Sequence, residues 1–190
     1  MLSRVAERMY WLGRYVERAE NIARLVNVNA SLQLDLPRGV KPPWHGLTDI
    51  FDQTEEFLKS HKTVDERSVI KFVLADNDNA RSLISTVKFA RENARTTREI
   101  LPTEAFELIT ELNIFARDNV GQALARSGRH EYLDGIVNQC HQLTGTLFGT
   151  MSHNLGYRFI RLGQNVERTD MTTRILDVGS TRLLAKGDEL

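Results

Sequence analysis

Residues 8–28 read RMYWLGRYVERAENIARLVNV, and residues 158–178 read RFIRLGQNVERTDMTTRILDV. The second stretch repeats the pattern of the first, and this internal repeat decides the fold. The two stretches align without a gap, so that residue i of the first corresponds to residue i + 150 of the second. Arg, Leu, Gly, Val, Glu, Arg, Arg and Val recur at eight of the 21 positions. Apolar residues in the first copy follow one another at steps of three and four, the spacing of one face of a helix. The repeat therefore predicts two similar long helices.

Glycine and proline predict where the helices end. Both cluster in residues 37–46, and no glycine lies between Leu47 and Val120. The expected helices run from Ser3 to about Leu34 and then over residues 47–60, 64–75 (with a strand as the alternative), 80–101, 103–126, 130–150 and 152–178. Because no stretch alternates convincingly with a period of two, the predicted fold class is all-α. We expect a multi-helix bundle in a single domain over residues 1–190, with long N-terminal and C-terminal helices that carry the repeat.

A few residues have the chemistry of helix ends. Asn77 or Asp78 is expected to cap the helix that begins near residue 80, and Thr103 the helix that follows. Gly128 and Gly179 are expected to close two of the later helices.

Composition narrows the class of protein. The chain has 190 residues, 25 of them basic and 25 acidic, so it lacks the strong positive charge of a general nucleic-acid binder. A single cysteine, Cys140, excludes an internal disulfide framework and suits a reducing compartment. No apolar run has the roughly 18 residues of a membrane span, and Arg4, Glu7 and Arg8 interrupt any N-terminal signal sequence. We therefore expect a cytoplasmic protein with no membrane partner and no nucleic-acid partner.

The repeat also carries a charged pattern, Gly-x3-Glu-x2-(Glu/Asp)-x3-Arg. Its members are Gly13, Glu17, Glu20 and Arg24 in the first copy and Gly163, Glu167, Asp170 and Arg174 in the second. On a helix the four positions fall within a wedge of roughly 60° that borders the apolar seam. The glycine has no side chain one turn before the first acid, so another backbone or a ligand can approach there.

The two repeat helices are expected to contact each other. Their matching apolar seams are Val5–Met9–Leu12–Val16 and Leu155–Phe159–Leu162–Val166. The four carboxylates at the edge of such a core need nearby cations. We expect the carboxylates to lie near each other and near at least one arginine, with Arg14 facing outward. The candidate arginines are Arg24 and Arg174 of the repeat and Arg91 and Arg95 of a third helix.

These charges have two interpretations. In the first, they form a structural network at the edge of the core. In the second, they form a ligand or substrate site, in which two acids act as general acid and base or the arginines clamp a carboxylate or phosphate. A metal site is not expected, because the di-iron pattern requires Glu-x-x-His and the repeat has no histidine there. No phosphate-binding loop or nucleophile motif is present, so no cofactor is expected.

Three blocks of the sequence resemble the bacterial alpha-E family. They are LSRVAERMYWLGRYVERAENIARL at residues 2–25, ARENARTTRE at 90–99 with ELN at 111–113, and RFIRLGQNVERTDMTTRIL at 158–176. The resemblance implies an all-helical domain whose genes often lie beside those of circularly permuted ATP-grasp proteins, transglutaminase-like proteases and proteasome-like peptidases. It assigns the charged positions of the family to Glu17, Arg18, Glu20, Arg24, Arg91, Glu92, Asn93, Arg95, Glu167, Arg168, Asp170 and Arg174.

The resemblance also implies a function. We expect a non-catalytic helical partner or scaffold of an ATP-grasp-type ligase that makes peptide or amide bonds. The alternative is an enzyme or substrate-binding subunit of that system. Typical members of the family continue past the last motif, so we expect this sequence to be a short form or a fragment. Apolar residues such as Ile160, Ile175 and Leu176 should then be partly uncovered, which predicts a homo-oligomer, most simply a two-fold dimer.

Overall fold

The computed structural model describes residues 3–37 and 42–187, and over these ranges the chain is built from helices without a strand. The elements are α1 (Ser3–Asp35), α2 (His45–Ile50), α3 (Thr54–Ser60), α4 (Glu66–Ile70) continued by a π-helical turn (Lys71–Ala75), α5 (Leu83–Thr96), α6 (Thr103–Leu124), α7 (Arg126–Thr150) and α8 (Leu155–Gly187). The predicted all-α bundle with long helices at both ends is confirmed. No helix in the described part of the chain is long and apolar enough to cross a membrane.

The first helix lies at the centre of the bundle. It packs against α8, α5 and α7, while α6 packs against α5 and α7. Its seam is buried as expected, with Met9 and Leu12 fully covered and Val16 2% exposed. Large side chains from the other helices, such as Ile109 and Tyr132, complete one continuous core around it.

The two repeat helices run parallel and in register. A Cβ atom added at Gly13 would lie 2.1 Å from the carbonyl oxygen of Ile160, and one added at Gly163 would lie 2.0 Å from that of Tyr10. These two contacts are equivalent, because Gly13 corresponds to Gly163 in the repeat and Tyr10 corresponds to Ile160. The predicted packing of the two helices is therefore confirmed, and the glycines are what allow the two backbones to approach so closely.

The face through which α8 packs differs from the expectation. Leu155, Leu162 and Val166 of the predicted seam are 56%, 49% and 37% exposed. The buried side of α8 is the glycine edge, with Gly163 and Gln164 at the close approach and Ile160 only 1% exposed. The helices meet along the edge with the smallest residues, which leaves the larger apolar seam of α8 outside. Ile160 is thus covered, contrary to the prediction.

Further along α8 the prediction of uncovered apolar side chains is confirmed. Ile175 is 39% exposed and Leu176 is 65% exposed. Leu176 and the exposed Leu155, Leu162 and Val166 lie on one side of α8, and these four residues form what we call the α8 apolar face. Ile175 lies on a different side of the helix.

Several helix ends also differ from the sequence prediction. Residues 47–60 form two helices, because the chain turns at Asp52, whose φ of 54° lies in the left-handed region. Residues 64–75 form a helix and a π turn, not a strand. The cap of α5 is Ser82, which accepts a hydrogen bond from the Ser85 amide, so Asn77 and Asp78 do not have this role.

The glycines expected to close helices do not do so. The break between α6 and α7 is at Ala125, whose ψ of 136° is extended, and Gly128 lies inside α7. Gly179 lies inside α8, which continues to Gly187. The first residue of α6 is Thr103 and its cap position is Pro102, so the Thr103 side chain is not the cap.

Candidate functional site

The Glu–Arg pairs of the two motifs are exchanged between the helices. Arg168 of α8 donates to Glu17 of α1 from Nε at 2.7 Å and from Nη2 at 3.0 Å. Arg18 of α1 donates to Glu167 of α8 from Nε at 2.6 Å and from Nη2 at 3.0 Å. The carboxylates are buried, with side chains 4% and 2% exposed. Each pair is bidentate, the geometry that gives such contacts their strength and direction.

On one side of the α1–α8 pair lies a cavity of about 500 Å³, which we call the α7-side cavity. Its lining residues are Glu17, Glu20, Asn21, Arg24 and Arg168, with His141 and Thr144 from α7. Glu20 accepts a hydrogen bond from Nε of Arg24 at 2.9 Å. The Nε2 atom of His141 lies 3.0 Å from Glu20 Oε1 and 2.8 Å from Arg24 Nη2.

On the other side lies a smaller cavity of about 260 Å³, which we call the α2-side cavity. Nε of Arg174 donates to Asp170 at 3.1 Å, and its Nη1 lies 3.2 Å from Asp52 after α2. Arg14 donates to Glu167, and its Nη2 lies 3.7 Å from Asp170. Arg14 therefore faces this cavity, and the prediction that it points outward is wrong.

Arg14, Arg168 and Arg174 stay charged, because the pKa of each is raised. Burial alone would lower the pKa of Arg14, but hydrogen bonds to Tyr10 and Glu167 outweigh it and the pKa is raised. The hydrogen bond to Glu17 raises the pKa of Arg168. The pKa of Arg174 is also raised, because its bonds to acidic groups outweigh its burial.

Two of the differences between the repeat copies distinguish the cavities. Arg14 corresponds to Gln164, so Glu167 receives two arginines, whereas among the described residues Glu17 receives one, Arg168. Asn21 in the α7-side cavity corresponds to Met171 in the α2-side cavity. The α7-side cavity therefore has fewer arginine partners for its buried carboxylate, and it has a polar amide where the α2-side cavity has a methionine.

The structure does not bring the charged edge of α5 to the motif carboxylates. Arg91 donates to Glu92 at 3.1 Å and Arg95 donates to Glu92 at 3.0 Å, all on the same helix. The opposite edge of α5, which includes Val87 and Ala90, is buried in the core and turns the arginines away. Glu20 lies beside Arg24 and Asp170 lies beside Arg174, so the expectation that at least one of the four arginines lies near the carboxylates is confirmed. Arg91 and Arg95 pair with Glu92 on their own helix and do not join the motif carboxylates in one network.

Sequence reasoning did not assign His141 to the site. The adjacent Cys140 is fully buried in the core. Neighbouring helical residues point about 100° apart, so a buried Cys140 turns His141 towards the cavity. Within the described ranges, no three His, Cys, Asp or Glu side chains are grouped so that they could hold a metal ion.

This fold and site define a helical domain in which two Glu–Arg motifs join the first and last helices. The chain belongs to the Alpha-E family, described as a predicted alpha-helical domain with a conserved ER motif, which it matches over residues 1–190. We use the term ER motifs below for the two Glu–Arg dipeptides that recur in the repeat, Glu17–Arg18 and Glu167–Arg168.

Two mycobacterial proteins are similar in sequence. They are the Uncharacterized protein Mb2597 of Mycobacterium bovis (strain ATCC BAA-935 / AF2122/97) and the Uncharacterized protein MT2643 of Mycobacterium tuberculosis (strain CDC 1551 / Oshkosh). Each is 25% identical over 195 residues, an alignment that covers 91% of this chain and 22% of the relative. This chain thus spans about a fifth of their length. No solved structure matches this chain.

Proposed function

We propose that this chain is a non-catalytic helical partner or scaffold of an ATP-grasp-type ligase that makes peptide or amide bonds. The observation that supports a non-catalytic role is the exchange of arginines between Glu17 and Glu167. Both carboxylates are buried and each is held by a bidentate guanidinium from the other helix. A carboxylate in such a pair is a poor general base, because it must break the pair before it can accept a proton.

The surface proposed for the partner is the α8 apolar face. The same positions on α1, such as Leu12 and Val16, are buried under other helices, while their repeat counterparts Leu162 and Val166 are exposed. An uncovered apolar surface of this kind is typical of a protein interface. The ligase as partner rests on the resemblance to the family. With an ATP-dependent partner and a lone buried Cys140, the proposed location is the cytoplasm.

Co-purification of the chain with the ligase encoded beside it tests this proposal. We expect binding at micromolar concentration and at least a tenfold loss of affinity for Leu162→Asp. The matched control is Leu58→Asp on α3, where the side chain is 56% exposed but lies outside the α8 apolar face. Absence of micromolar binding, together with unchanged ligase activity when the chain is added, would contradict the proposal.

A second copy of the chain is the other proposed occupant of the α8 apolar face. The exposed Leu155 and Leu176 at its two ends support a homo-oligomer. Light scattering of the chain alone across micromolar concentrations tests it. We expect a two-fold dimer that Leu162→Asp converts to a monomer, and a monomeric mass at every concentration would contradict it.

The α7-side cavity favours a second candidate function, an enzyme or substrate-binding subunit of the same system. There the imidazole of His141 lies beside Glu20, and its side chain is 53% exposed, so this pair can meet a substrate. Glu20→Gln and His141→Gln should then abolish the activity of the whole system while the fold is retained. Full activity of the system with both variants would exclude this candidate.

A further inference from the structure

Four aromatic side chains lie in a row on the surface where α1 packs beside α5. They are Tyr10, Trp11 and Tyr15 of α1 and Phe89 of α5, and we call them the aromatic ladder. Tyr10 meets Trp11 edge to face at a centroid distance of 5.6 Å, and Trp11 stacks on Tyr15 at 5.5 Å. The Tyr15 ring in turn lies 5.6 Å from that of Phe89. The three rings of α1 are half-buried and Phe89 is 37% exposed, so the row can be reached from solvent.

The pairing of the repeat helices does not require these rings. The residues of α8 equivalent to Trp11 and Tyr15 are Arg161 and Asn165, and α8 packs against α1 without an aromatic side chain at either position. Trp and Tyr are enriched at the centres of protein interfaces, where they supply large contact areas. The aromatic ladder therefore has the composition of a binding surface.

The aromatic ladder is held in place before any partner binds. The guanidinium of Arg14 lies 5.8 Å from the centroid of Tyr10 and 5.7 Å from that of Trp11. The guanidinium of Arg18 lies 5.8 Å from the centroid of Tyr15. Both arginines are fixed in turn by hydrogen bonds to the buried Glu167. A surface that is already ordered loses less conformational entropy when it binds.

The surroundings of the aromatic ladder are basic. Two arginines lie one and two turns before Trp11 on the same side of α1, and a lysine is adjacent to Phe89. They are Arg8, Arg4 and Lys88, and none of them forms an ion pair with another described residue. Against these three cations stands Glu7, whereas Glu92 of α5 is already held by two arginines of its own helix. An acidic partner would supply the missing countercharges.

The spacing of the rings suits an extended peptide. Alternate side chains of an extended chain lie about 6.6 Å apart on one face, close to the separation of neighbouring rings in the aromatic ladder. Rings that stack on one another do not protrude, whereas membrane binding requires apolar side chains that reach into the bilayer. A peptide is therefore favoured over an anionic membrane.

From these features we infer that the aromatic ladder binds an acidic peptide segment in an extended conformation. Alternate apolar side chains of the peptide would pack against the rings, and its carboxylates would lie beside Arg4, Arg8 and Lys88. This inference goes beyond the proposed function, because it concerns a second surface, on α1 and α5, and depends neither on a ligase nor on the α8 apolar face.

Fluorescence titration of the Trp44→Phe chain tests the site, because Trp11 is then the remaining tryptophan. The probe is a synthetic peptide with a central Phe-Ser-Phe flanked on both sides by glutamates. We expect the emission of Trp11 to change with a micromolar dissociation constant. The same peptide with serine for phenylalanine, or with lysine for glutamate, should bind at least tenfold more weakly.

Three results of this titration would overturn the inference. One is an unchanged emission of Trp11 at every concentration of the probe. Another is equal binding of either control peptide, because the aromatic or the acidic side chains would then be dispensable. The third is binding to vesicles of phosphatidylserine and phosphatidylcholine without binding to the peptide, which would make the surface a membrane site.

Charge reversal tests the basic surroundings without changing the rings. Arg8→Glu combined with Lys88→Glu should weaken binding of the probe at least tenfold. The matched control combines Lys59→Glu with Lys62→Glu, which changes the net charge equally at two exposed positions on and after α3. Binding that is equal in the two double variants would show that the charges near the aromatic ladder do not attract the peptide.

Removal of one ring tests the aromatic ladder itself. Phe89→Ala should weaken binding of the probe at least fivefold, whereas Phe148→Ala on α7, where the side chain is 65% exposed, should bind normally. The melting temperature of each variant verifies that the chain is folded during the titration. Normal binding by folded Phe89→Ala would contradict the inference.

Discussion

Glu167 of α8 lies in a bidentate ion pair with Arg18 of α1, at 2.6 and 3.0 Å, and the same pair recurs in exchanged form between Glu17 and Arg168. The ER motifs therefore join the two repeat helices to each other. Removing one partner of a buried pair strands the other charge, at a typical cost of about 3–5 kcal/mol. The pair at Glu167 should approach this range more closely than the pair at Glu17, since Arg18 is 19% exposed and Arg168 is 59% exposed.

The glycines of the repeat should not tolerate a side chain. In Gly13→Ala or Gly163→Ala the new Cβ would lie within about 2 Å of a backbone oxygen, which cannot move away as a side chain can. Each substitution should cost at least about 2 kcal/mol of unfolding free energy, despite the higher helix propensity of alanine. Urea denaturation measures this loss of unfolding free energy. Gly145→Ala in α7, where a Cβ meets nothing within 4 Å, is the control and should stabilise slightly. Equal effects at all three positions would refute the close approach.

Arg14→Ala should destabilise more than Arg24→Ala. The Arg14 side chain is 14% exposed and donates to the buried Glu167, whereas that of Arg24 is 50% exposed. We expect a cost of about 2–3 kcal/mol for Arg14 and less than about 1 kcal/mol for Arg24, where solvent screens the charge. Denaturant midpoints of the two variants test this, and the opposite ranking would show that Arg14 does not hold Glu167 in solution.

Cys140 should be unreactive in the folded protein. Burial raises the pKa of its thiol, and the nearby carboxylates of Glu20 and Glu17 raise it further. Because the thiolate is the reactive form, labelling by a disulfide reagent at pH 8 should be at least about 100-fold slower than in the urea-unfolded chain. Rapid labelling under native conditions would mean that the interface between α1 and α7 opens readily.

Glu66 should add a pH-dependent contribution to stability. Burial would raise the pKa of this carboxyl, but Arg126 and Arg129 outweigh burial and hold the pKa below its usual value of 4.5. A carboxyl with a lowered pKa in the folded state stabilises above its ordinary pKa, and the contribution is lost as the pH falls through the lowered value. The difference in urea midpoint between the wild type and Glu66→Gln should therefore be larger at pH 7 than at pH 3. A difference that is the same at both values would contradict this.

The contact between α1 and α8 could be predicted from the sequence because the glycine and the Glu–Arg pair recur at one offset. The sequence could not be used to predict which side of α8 is buried. Leu162 and Val166 form a better apolar seam than the edge around Gly163, but only Gly163 lets the backbones meet. A periodic pattern identifies an apolar face without showing whether anything covers it.

Only those contacts of the candidate site that lie within one helix could be predicted from the sequence. Arg24 and Arg174 lie four residues after an acid on their own helix, so local spacing was sufficient to place them. His141 reaches Glu20 across 121 positions of sequence, and that contact depends on how α7 packs against α1. Arg91 and Arg95 had the right charge, but α5 buries its other edge.

A double-mutant cycle on Glu167 and Arg18 tests most directly whether the ER motifs hold the repeat helices together. The unfolding free energies of Glu167→Gln, Arg18→Met and the double variant give the coupling energy of the pair. The control is the exposed pair Glu92–Arg95 on α5, whose coupling should stay below about 0.5 kcal/mol. We predict a coupling of about 1.5–3 kcal/mol for Glu167 and Arg18. A value no larger than that of the exposed pair would contradict the structural role of the motif.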